Sequence, residues 1–279
     1  MLQFESKLKI KEQIYNDKQN NKHIGFVPTM GALHSGHLSL VEQSKKENDV
    51  TVVSIYVNPT QFNDPNDLKK YPRSLEKDLE ILRKYECDYV FVPNDAEMYP
   101  EKDTRVFDFG ELDKIMEGKH RAGHFNGVAQ IVSKLFEIIK PDNAYFGFKD
   151  YQQYMIIKQM VLKLNMNINI IACPIVRESD GLAMSSRNLL LSPEERKNAA
   201  VISQVLFKAK EKNRSIPIPD LKKQVVAEIN NNPMLSVEYF EIVDETDMSI
   251  SHEWQKQKKH VGCIAVNLGT IRLIDNIVF

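Results

Sequence analysis

The sequence predicts an α/β protein: a parallel-sheet domain first, then a smaller α+β domain. Three observations carry this. Val50-Thr51-Val52-Val53-Ser54-Ile55-Tyr56-Val57 is a near-continuous β-branched run, the pattern of a central parallel strand buried on both faces. Strand-like and helix-like periods alternate up to Val176, which implies parallel strands joined by right-handed crossovers. Beyond Arg177 the composition shifts, and two amphipathic helices are followed by three strand-like runs. The boundary is therefore drawn near Val176 and Arg177, giving domains 1–176 and 177–279.

Ser6 to Asn20 is polar with a helical period (Leu8, Ile10, Ile14) and reads as a leading surface helix. His23 to Val27 is a short apolar strand, and Pro28, which cannot donate to a ladder, is expected to end it. Gly31 and Gly36 loosen the turn that follows. From His37 the period becomes helical, with Leu38 and Val41 inward and Glu42, Lys45 and Lys46 outward. Such a strand-turn-helix aims backbone N–H groups and a helix dipole at one spot, which suits an anion. The Val50 strand ends in Asn58-Pro59-Thr60-Gln61-Phe62-Asn63, a loop expected at the same sheet edge as His34 and His37.

Ser74 to Tyr85 reads as a helix capped by Ser74, and Asp88 to Val92 as the next strand. Arg105 to Phe109 is a candidate strand. Glu117 to Gly127 is dense in glycine, histidine and basic residues and is expected to be a long loop, functional or merely solvated. Gly127 to Lys140 is strongly amphipathic, with Pro141 as its stop. Asn143 to Phe146 is a strand, Gly147 to Gln153 turns into a helix running to about Leu164, and Ile168 to Val176 is the last strand of the first domain. In such sheets ligands bind outside the carboxyl ends of the strands.

Arg177 to Asn188 has no regular period and carries hydroxyls, two guanidinium groups and an amide, donors that phosphate oxygens would use. Ser192-Pro193-Glu194-Glu195 is a helix start with a capping box, opening a helix to about Asn213. Ile216 to Asp220 reads as a stiff connector and Asp220 to Asn231 as a helix. Ser236 to Val243, Val261 to Leu268 and Ile271 to Ile274 are strands, the last two joined as a hairpin around Gly269. His252 to Lys259 is expected to be a surface loop.

Hydrophobic residues at 42%, charged residues at 27% and a net charge of −1 fit a soluble globular protein and disfavour nucleic-acid binding, which needs a basic patch. No apolar run reaches membrane-spanning length and no signal-peptide core is visible, so a cytoplasmic protein without membrane association is expected. Cys87, Cys173 and Cys263 are far apart, and each lies in or beside an apolar run, as buried thiols in a reducing compartment would.

His34 and His37 allow three readings: they cap or pack the turn, they form part of a metal site, or they donate to nucleotide phosphates. No nearby carboxylate or cysteine completes a metal set. Lys149 and Asp150 likewise fit either an exposed helix start or a phosphate site. No GxxxxGK[ST] and no GxGxxG after the first strand are present, which disfavours P-loop and dinucleotide-binding chemistry. Displacement at a nucleotide phosphate fits the remaining constellation, because it asks the protein chiefly for positioning and charge stabilisation.

His34-Ser35-Gly36-His37 resembles the H-x-G-H motif of the nucleotidyltransferase superfamily, which includes class I aminoacyl-tRNA synthetases. Met184-Ser185-Ser186-Arg187 resembles its lysine/serine motif, with arginine for the usual lysine. More narrowly, the chain is similar to the pantothenate synthetase family from about Gly25 to Asp244. The matching segments are Val27 to His37, Val57 to Phe62, Tyr71 to Arg73, Gly123 to Phe125, Phe146 to Gln153 and Arg177 to Asn188, with a weaker match at Val237 to Asp244.

That resemblance implies a Rossmann-like nucleotidyltransferase domain with a C-terminal α+β lid and dimer-associated domain. It implies ATP-dependent condensation of pantoate with β-alanine through a pantoyl-adenylate, releasing AMP and pyrophosphate. ATP would be bound by Met30, Gly31, Ala32, Leu33, His34, Ser35, Gly36 and His37, by Gly147, Phe148, Lys149 and Asp150, by Val176, and by Met184, Ser185, Ser186 and Arg187. His34, His37 and Lys149 would be the catalytic groups, with His37 as proton donor. Gln61 and Gln153 would hold pantoate, and Gln61 would also border β-alanine. Mg²⁺ would come with the ATP phosphates, with Asp78 as a candidate indirect partner. A homodimer is expected.

The chain departs from the family pattern at three places. Phe148 stands for a usual glutamate, which leaves backbone contacts there. Ala122 stands for a proline, which is expected to loosen its loop, and Thr60 for a methionine, which is expected to loosen the pantoate wall. The alternatives are an adenylate-forming relative with another acid and a non-catalytic tRNA-binding relative of a synthetase. The second would bind RNA in a salt-sensitive way.

Overall fold

Val50–Ile55 (β3) is buried along its whole length and lies inside a six-stranded sheet, as its β-branched composition requires. The structure, a computed structural model, describes residues 1–212 and 214–279. The sheet runs Leu2–Phe4 (β1), Tyr89–Phe91 (β4), β3, Ile24–Thr29 (β2), Asn143–Gly147 (β5) and Asn169–Cys173 (β6). Every neighbouring pair is parallel. The edge strand β1 pairs Leu2 with Tyr89 and Phe4 with Phe91, an element too short to declare itself by period.

Alternate residues feed two cores. Phe26, Val52 and Phe91 pack with Lys7–Gln19 (α1), His124–Ile139 (α7) and Tyr151–Lys163 (α8) through Ile10, Phe136 and Ile156. Val27, Val53 and Val90 face Ser35–Glu47 (α2) and Leu75–Lys84 (α4) through Val41 and Leu82. A strand whose two faces both bury apolar side chains has no polar alternation to show, which explains the Val50 run. Short helices at Pro65–Lys70 (α3), Asp95–Met98 (α5) and Met116–His120 (α6) complete this part.

Several local expectations are corrected. Pro28 lies inside β2, which continues to Thr29. The Ile24 carbonyl accepts from Asp142 N on the β5 side, and the Thr29 carbonyl accepts from Tyr56 N on the β3 side. Pointing alternates along a strand, so Pro28 turns its missing donor toward β5, whose ladder with β2 already stops at Phe26 and Ala144. Arg105 to Phe109 forms no strand. Its backbone is satisfied by side-chain amides of α7: Asn126 Oδ1 accepts from Phe107 N at 2.8 Å, and Gln130 Nε2 donates to Arg105 O at 2.8 Å. The expected long loop from Glu117 to Gly127 is α6, a turn, and the start of α7. Its polar residues pair with one another, and Glu117, His124 and Phe125 are buried. Ser74 takes the N-cap position of α4, but its hydroxyl donates to Asp78 rather than capping.

The chain forms two compact units, Met1–Phe148 with Gln153–Pro174, and Lys149–Gln152 with Ile175–Phe279. The second unit packs Pro193–Glu211 (α9) and Ile218–Asn230 (α10) on an antiparallel sheet of Leu235–Asp244 (β7), His260–Leu268 (β8) and Ile271–Val278 (β9). The Ser192 capping box is present. The expected end of α9 at Asn213 lies outside the described residues. α10 starts earlier than expected because Pro219 fits a first helical turn. β9 runs past Ile274 because β8 offers partners as far as Val261, opposite Val278. All three cysteines are buried and unbridged. Among the described residues no helix is long and apolar enough to cross a membrane.

Candidate functional site

The carboxyl ends of β2 and β5 part company. Their ladder ends at Phe26 and Ala144. Beyond it, β2 stays with β3 to Thr29 opposite Ile55, and β5 stays with β6 to Gly147 opposite Cys173. Chain order also reverses here, since the strands after β2 lie on one side and β5 with β6 on the other. Such a switch point is where open α/β sheets bind ligands. One lip carries the turn into α2, the other Gly147. A Cβ built on Gly147 meets no atom within 4 Å, so the fold itself does not call for glycine there.

On the first lip, His34 is the N-cap of α2 and its Nδ1 accepts from Gly36 N at 3.1 Å. The helix thus begins at Ser35, two residues before the periodicity shows it. The His34 and His37 rings lie 4.1 Å apart between centroids, tilted by 36°. Both are half-buried. With Nδ1 of His34 committed to a backbone donor, its proton resides on Nε2.

Three consecutive backbone donors of this turn are used within the chain. Gly31 N donates to Thr29 Oγ1 at 3.1 Å. Ala32 N and Leu33 N donate to the two carboxylate oxygens of Asp78, at 2.9 and 2.8 Å. Asp78 is 1% exposed. Gly31 and Ala32 both have positive φ, 78° and 50°, and the turn they make presents successive N–H groups to one anion. The anion it holds is Asp78. The N–H groups of Gly31, Ala32 and Leu33 are thus committed inside the turn. Ser74 Oγ adds a third donor to Asp78, at 3.3 Å. Among the described residues no group of three or more His, Cys, Asp or Glu side chains could hold a metal ion.

Gln61 ends a short 3₁₀ turn, Pro59–Gln61, and is buried. Its Oε1 accepts from Asn58 Nδ2 at 3.1 Å and its Nε2 donates to Met30 Sδ at 3.1 Å. Asn58, 1% exposed, uses its whole amide. Nδ2 also donates to Gly127 O, and Oδ1 accepts from Tyr99 at 2.7 Å and Thr60 at 3.1 Å. Thr60 is thus tied into this network. The main-chain carbonyl of Gln61 meets His124 Nδ1 at 2.8 Å. Met30 and Gln61 are thus brought together. Gln153 is half-buried in the first turn of α8.

In the second unit, Lys149 is largely buried, with Nζ 3.4 Å from Asp150 Oδ2. Its carbonyl accepts from Asn276 Nδ2 at 2.9 Å. Val176 and Met184 are joined, since Met184 N donates to Val176 O at 3.0 Å. The connecting loop is cross-braced by a bridge between Arg177 and Ala183, and Arg177 forms a bidentate pair with Asp275 at 2.7 and 3.0 Å. Burial pushes the Asp275 carboxyl up, and the guanidinium opposes that rise. Ser185 caps a 3₁₀ turn from Ser186 to Leu190, accepting from Arg187 N at 3.3 Å. The loop expected to lack regular structure is thus partly ordered by its own arginine and serine, and Arg177 is spent on Asp275.

Sequence reasoning gives no role to Asn58, Tyr99 or His124. Asn58 is three residues from Gln61, but Tyr99 reaches Asn58 across 41 residues of chain, Gly127 meets Asn58 across 69 and His124 meets Gln61 across 63, distances at which no local pattern carries a signal. The matches at Val57 to Phe62, which holds Asn58, and at Gly123 to Phe125, which holds His124, are the available pointers.

The family model described as pantoate-beta-alanine ligase matches residues 3–278. The pantothenate synthetase of Bacteroides fragilis (strain YCH46) is 54% identical over 260 residues, 93% of this chain and 92% of that protein. The crystal structure of pantothenate synthetase from Thermus thermophilus superposes with a TM-score of 0.92 at 38% identity, covering 99% of each chain. That of pantoate-beta-alanine ligase from Francisella tularensis, complexed with beta-gamma ATP and beta-alanine, gives a TM-score of 0.84 at 37% identity over 100% of this chain and 97% of that one.

Proposed function

The chain belongs to the pantoate-beta-alanine ligase family, an enzyme family, and from that membership we propose that it joins pantoate to β-alanine by an ATP-dependent, two-step route. A pantoate carboxylate oxygen attacks the α-phosphorus of ATP. The bond to the pyrophosphate oxygen breaks, leaving pantoyl-adenylate. The β-alanine amine then attacks the acyl carbon, AMP departs, and the amine loses a proton.

The observation that carries this reading is the parting of β2 and β5, with the His34/His37 pair on one lip and Gly147 on the other. Adjacent imidazoles offer N–H groups to phosphate oxygens as charge builds in the transition state. His37 is proposed to donate the proton and His34 to act through Nε2–H. Gly147 lets a nucleotide approach the main chain closely. Lys149 is proposed to stabilise charge on the pentavalent phosphorus, and Val176 with Met184 to Arg187 to complete the ATP contacts.

Gln61 and Gln153 are proposed to hold pantoate, and Gln61 to border β-alanine. A thioether is a weak acceptor, so the Gln61 N–H that rests on Met30 is the donor most easily turned to a carboxylate or hydroxyl. Mg²⁺ is proposed to bind through ATP phosphates and water rather than a dedicated protein cluster. A homodimer and a cytoplasmic location belong to the same proposal.

Pyrophosphate release tests it. Release is expected with ATP and pantoate, and AMP and pantothenate are expected to follow only when β-alanine is added. Release with other acids but never with pantoate would sink the assignment.

A further inference from the structure

We propose that His124 is a positioning residue for the Gln61 carboxamide, acting through the Gln61 main chain, and that Arg121 selects the tautomer that lets it do so. This rests on the reading that Gln61 contacts pantoate. His124 is 6% exposed. Its Nδ1 lies 2.8 Å from Gln61 O and its Nε2 lies 3.1 Å from Arg121 Nη1. A guanidinium has donors only, so Nε2 must accept. The proton is then on Nδ1, where it is donated to the Gln61 carbonyl. Arg121 is held in turn by Glu117, at 3.5 Å.

The same first turns of α7 touch the Pro59–Gln61 turn twice more. Gly127 O accepts from Asn58 Nδ2, the atom that also holds Gln61 Oε1. A Cβ built on Gly127 would sit 2.4 Å from Thr60 O and 2.7 Å from Gln61 N. Gln61 is therefore gripped at its carbonyl by His124, at its side chain by Asn58 and Met30, and at its amide by the bare Cα of Gly127. The main chain of a 3₁₀ turn has carbonyls that no further turn satisfies. A buried imidazole that supplies one donor, in one direction, sets where the Gln61 amide points. A displacement well under the length of a hydrogen bond is enough to spoil such a contact.

The test uses the full chain and the pantoate-dependent pyrophosphate assay. His124→Gln puts its amide near the position of Nε2 and leaves the Gln61 carbonyl without its donor. His124→Asn puts an N–H near the position of Nδ1. His124→Gln is expected to raise KM for pantoate roughly tenfold, the scale of one lost hydrogen bond, with KM for ATP within about twofold. His124→Asn is expected to restore most of the loss. Arg121→Met keeps the ring and frees its tautomer, and is expected to raise pantoate KM by a smaller factor.

A merely structural role would shift the melting temperature and both KM values together, with no rescue by asparagine. That pattern, or an unchanged pantoate KM in a folded His124→Gln protein, overturns the proposal. Should His124→Gln not fold, Arg121→Met decides in the same way. Gln61→Leu runs beside them. If it too leaves pantoate KM unchanged, the reading of Gln61 has failed. If it raises that KM while the His124 and Arg121 variants do not, the positioning role alone has failed.

Discussion

Asp78 accepts the backbone N–H of Leu33 at 2.8 Å, and its other oxygen takes the neighbouring N–H of Ala32. One buried carboxylate thus fixes the turn that aims His34 and His37.

Asp78→Asn removes the charge and sets an NH₂ against one of these donors. Hydrogen bonds to charged groups contribute about 1.5–3 kcal/mol each. A stability loss of about 2–4 kcal/mol is expected in urea unfolding, together with a raised KM for ATP. If Mg²⁺ enters as proposed, on phosphates and water, the Mg²⁺ concentration for half-maximal rate is expected to stay put. A shifted Mg²⁺ requirement at unchanged stability would make Asp78 a metal partner instead.

Gly147→Ala is expected to leave stability within about 0.5 kcal/mol, as is usual where a methyl meets nothing. KM for ATP is expected to rise several-fold. Unaltered nucleotide kinetics would remove Gly147 from the proposed ATP site.

His260 is fully buried beneath Trp254, whose ring stands edge-on at 5.3 Å. Burial, reinforced by the nearby Arg214, pushes its pKa below the usual 6.5. The unfolded chain then binds more protons than the folded one below about pH 6.5, so stability falls as pH drops through that value. The urea midpoint is expected to be lower at pH 5.5 than at pH 7.5, and His260→Phe is expected to shrink the difference. An equal slope in the variant would assign the pH dependence to other groups.

Burial pushes the Cys87 thiol up to about 12 and the Cys173 thiol up to about 11, with Glu47 adding to the second. Thiolates are the reactive form. Neither residue is expected to react with a disulfide reagent at pH 8 until the protein is unfolded, when all three cysteines of the chain should titrate. Prompt labelling of Cys87 or Cys173 in the native protein would contradict their burial.

Local signals are readable from the residues themselves. The Val50 run, the period of α7 and the Ser192 capping box each concern residues within one element, and each element forms. Pro28 misleads because its effect depends on which neighbour its missing donor faces, and that is a property of the sheet. Arg105 to Phe109 finds its partners not in a strand but in amides of a helix some twenty residues on. In the site, the paired histidines are visible as a motif. Asp78 as the occupant of their turn is not, because it lies 46 residues from Ala32. The same holds for His124, which is 63 residues from the carbonyl it meets.

The second unit includes Lys149–Gln152, encoded between β5 and the body of α8. Asn276 of β9 donates to the Lys149 carbonyl, and the Tyr151 hydroxyl donates to the Glu245 carbonyl just beyond β7. A gene fragment opening at Ile175 would encode the three-stranded sheet and both its helices, yet lack these two anchors. Exchange of C-terminal halves between related enzymes at a single crossover would likewise pair one parent's lysine with the other parent's asparagine. A transferable module needs three cuts in the gene, two of them flanking an insert only four codons long.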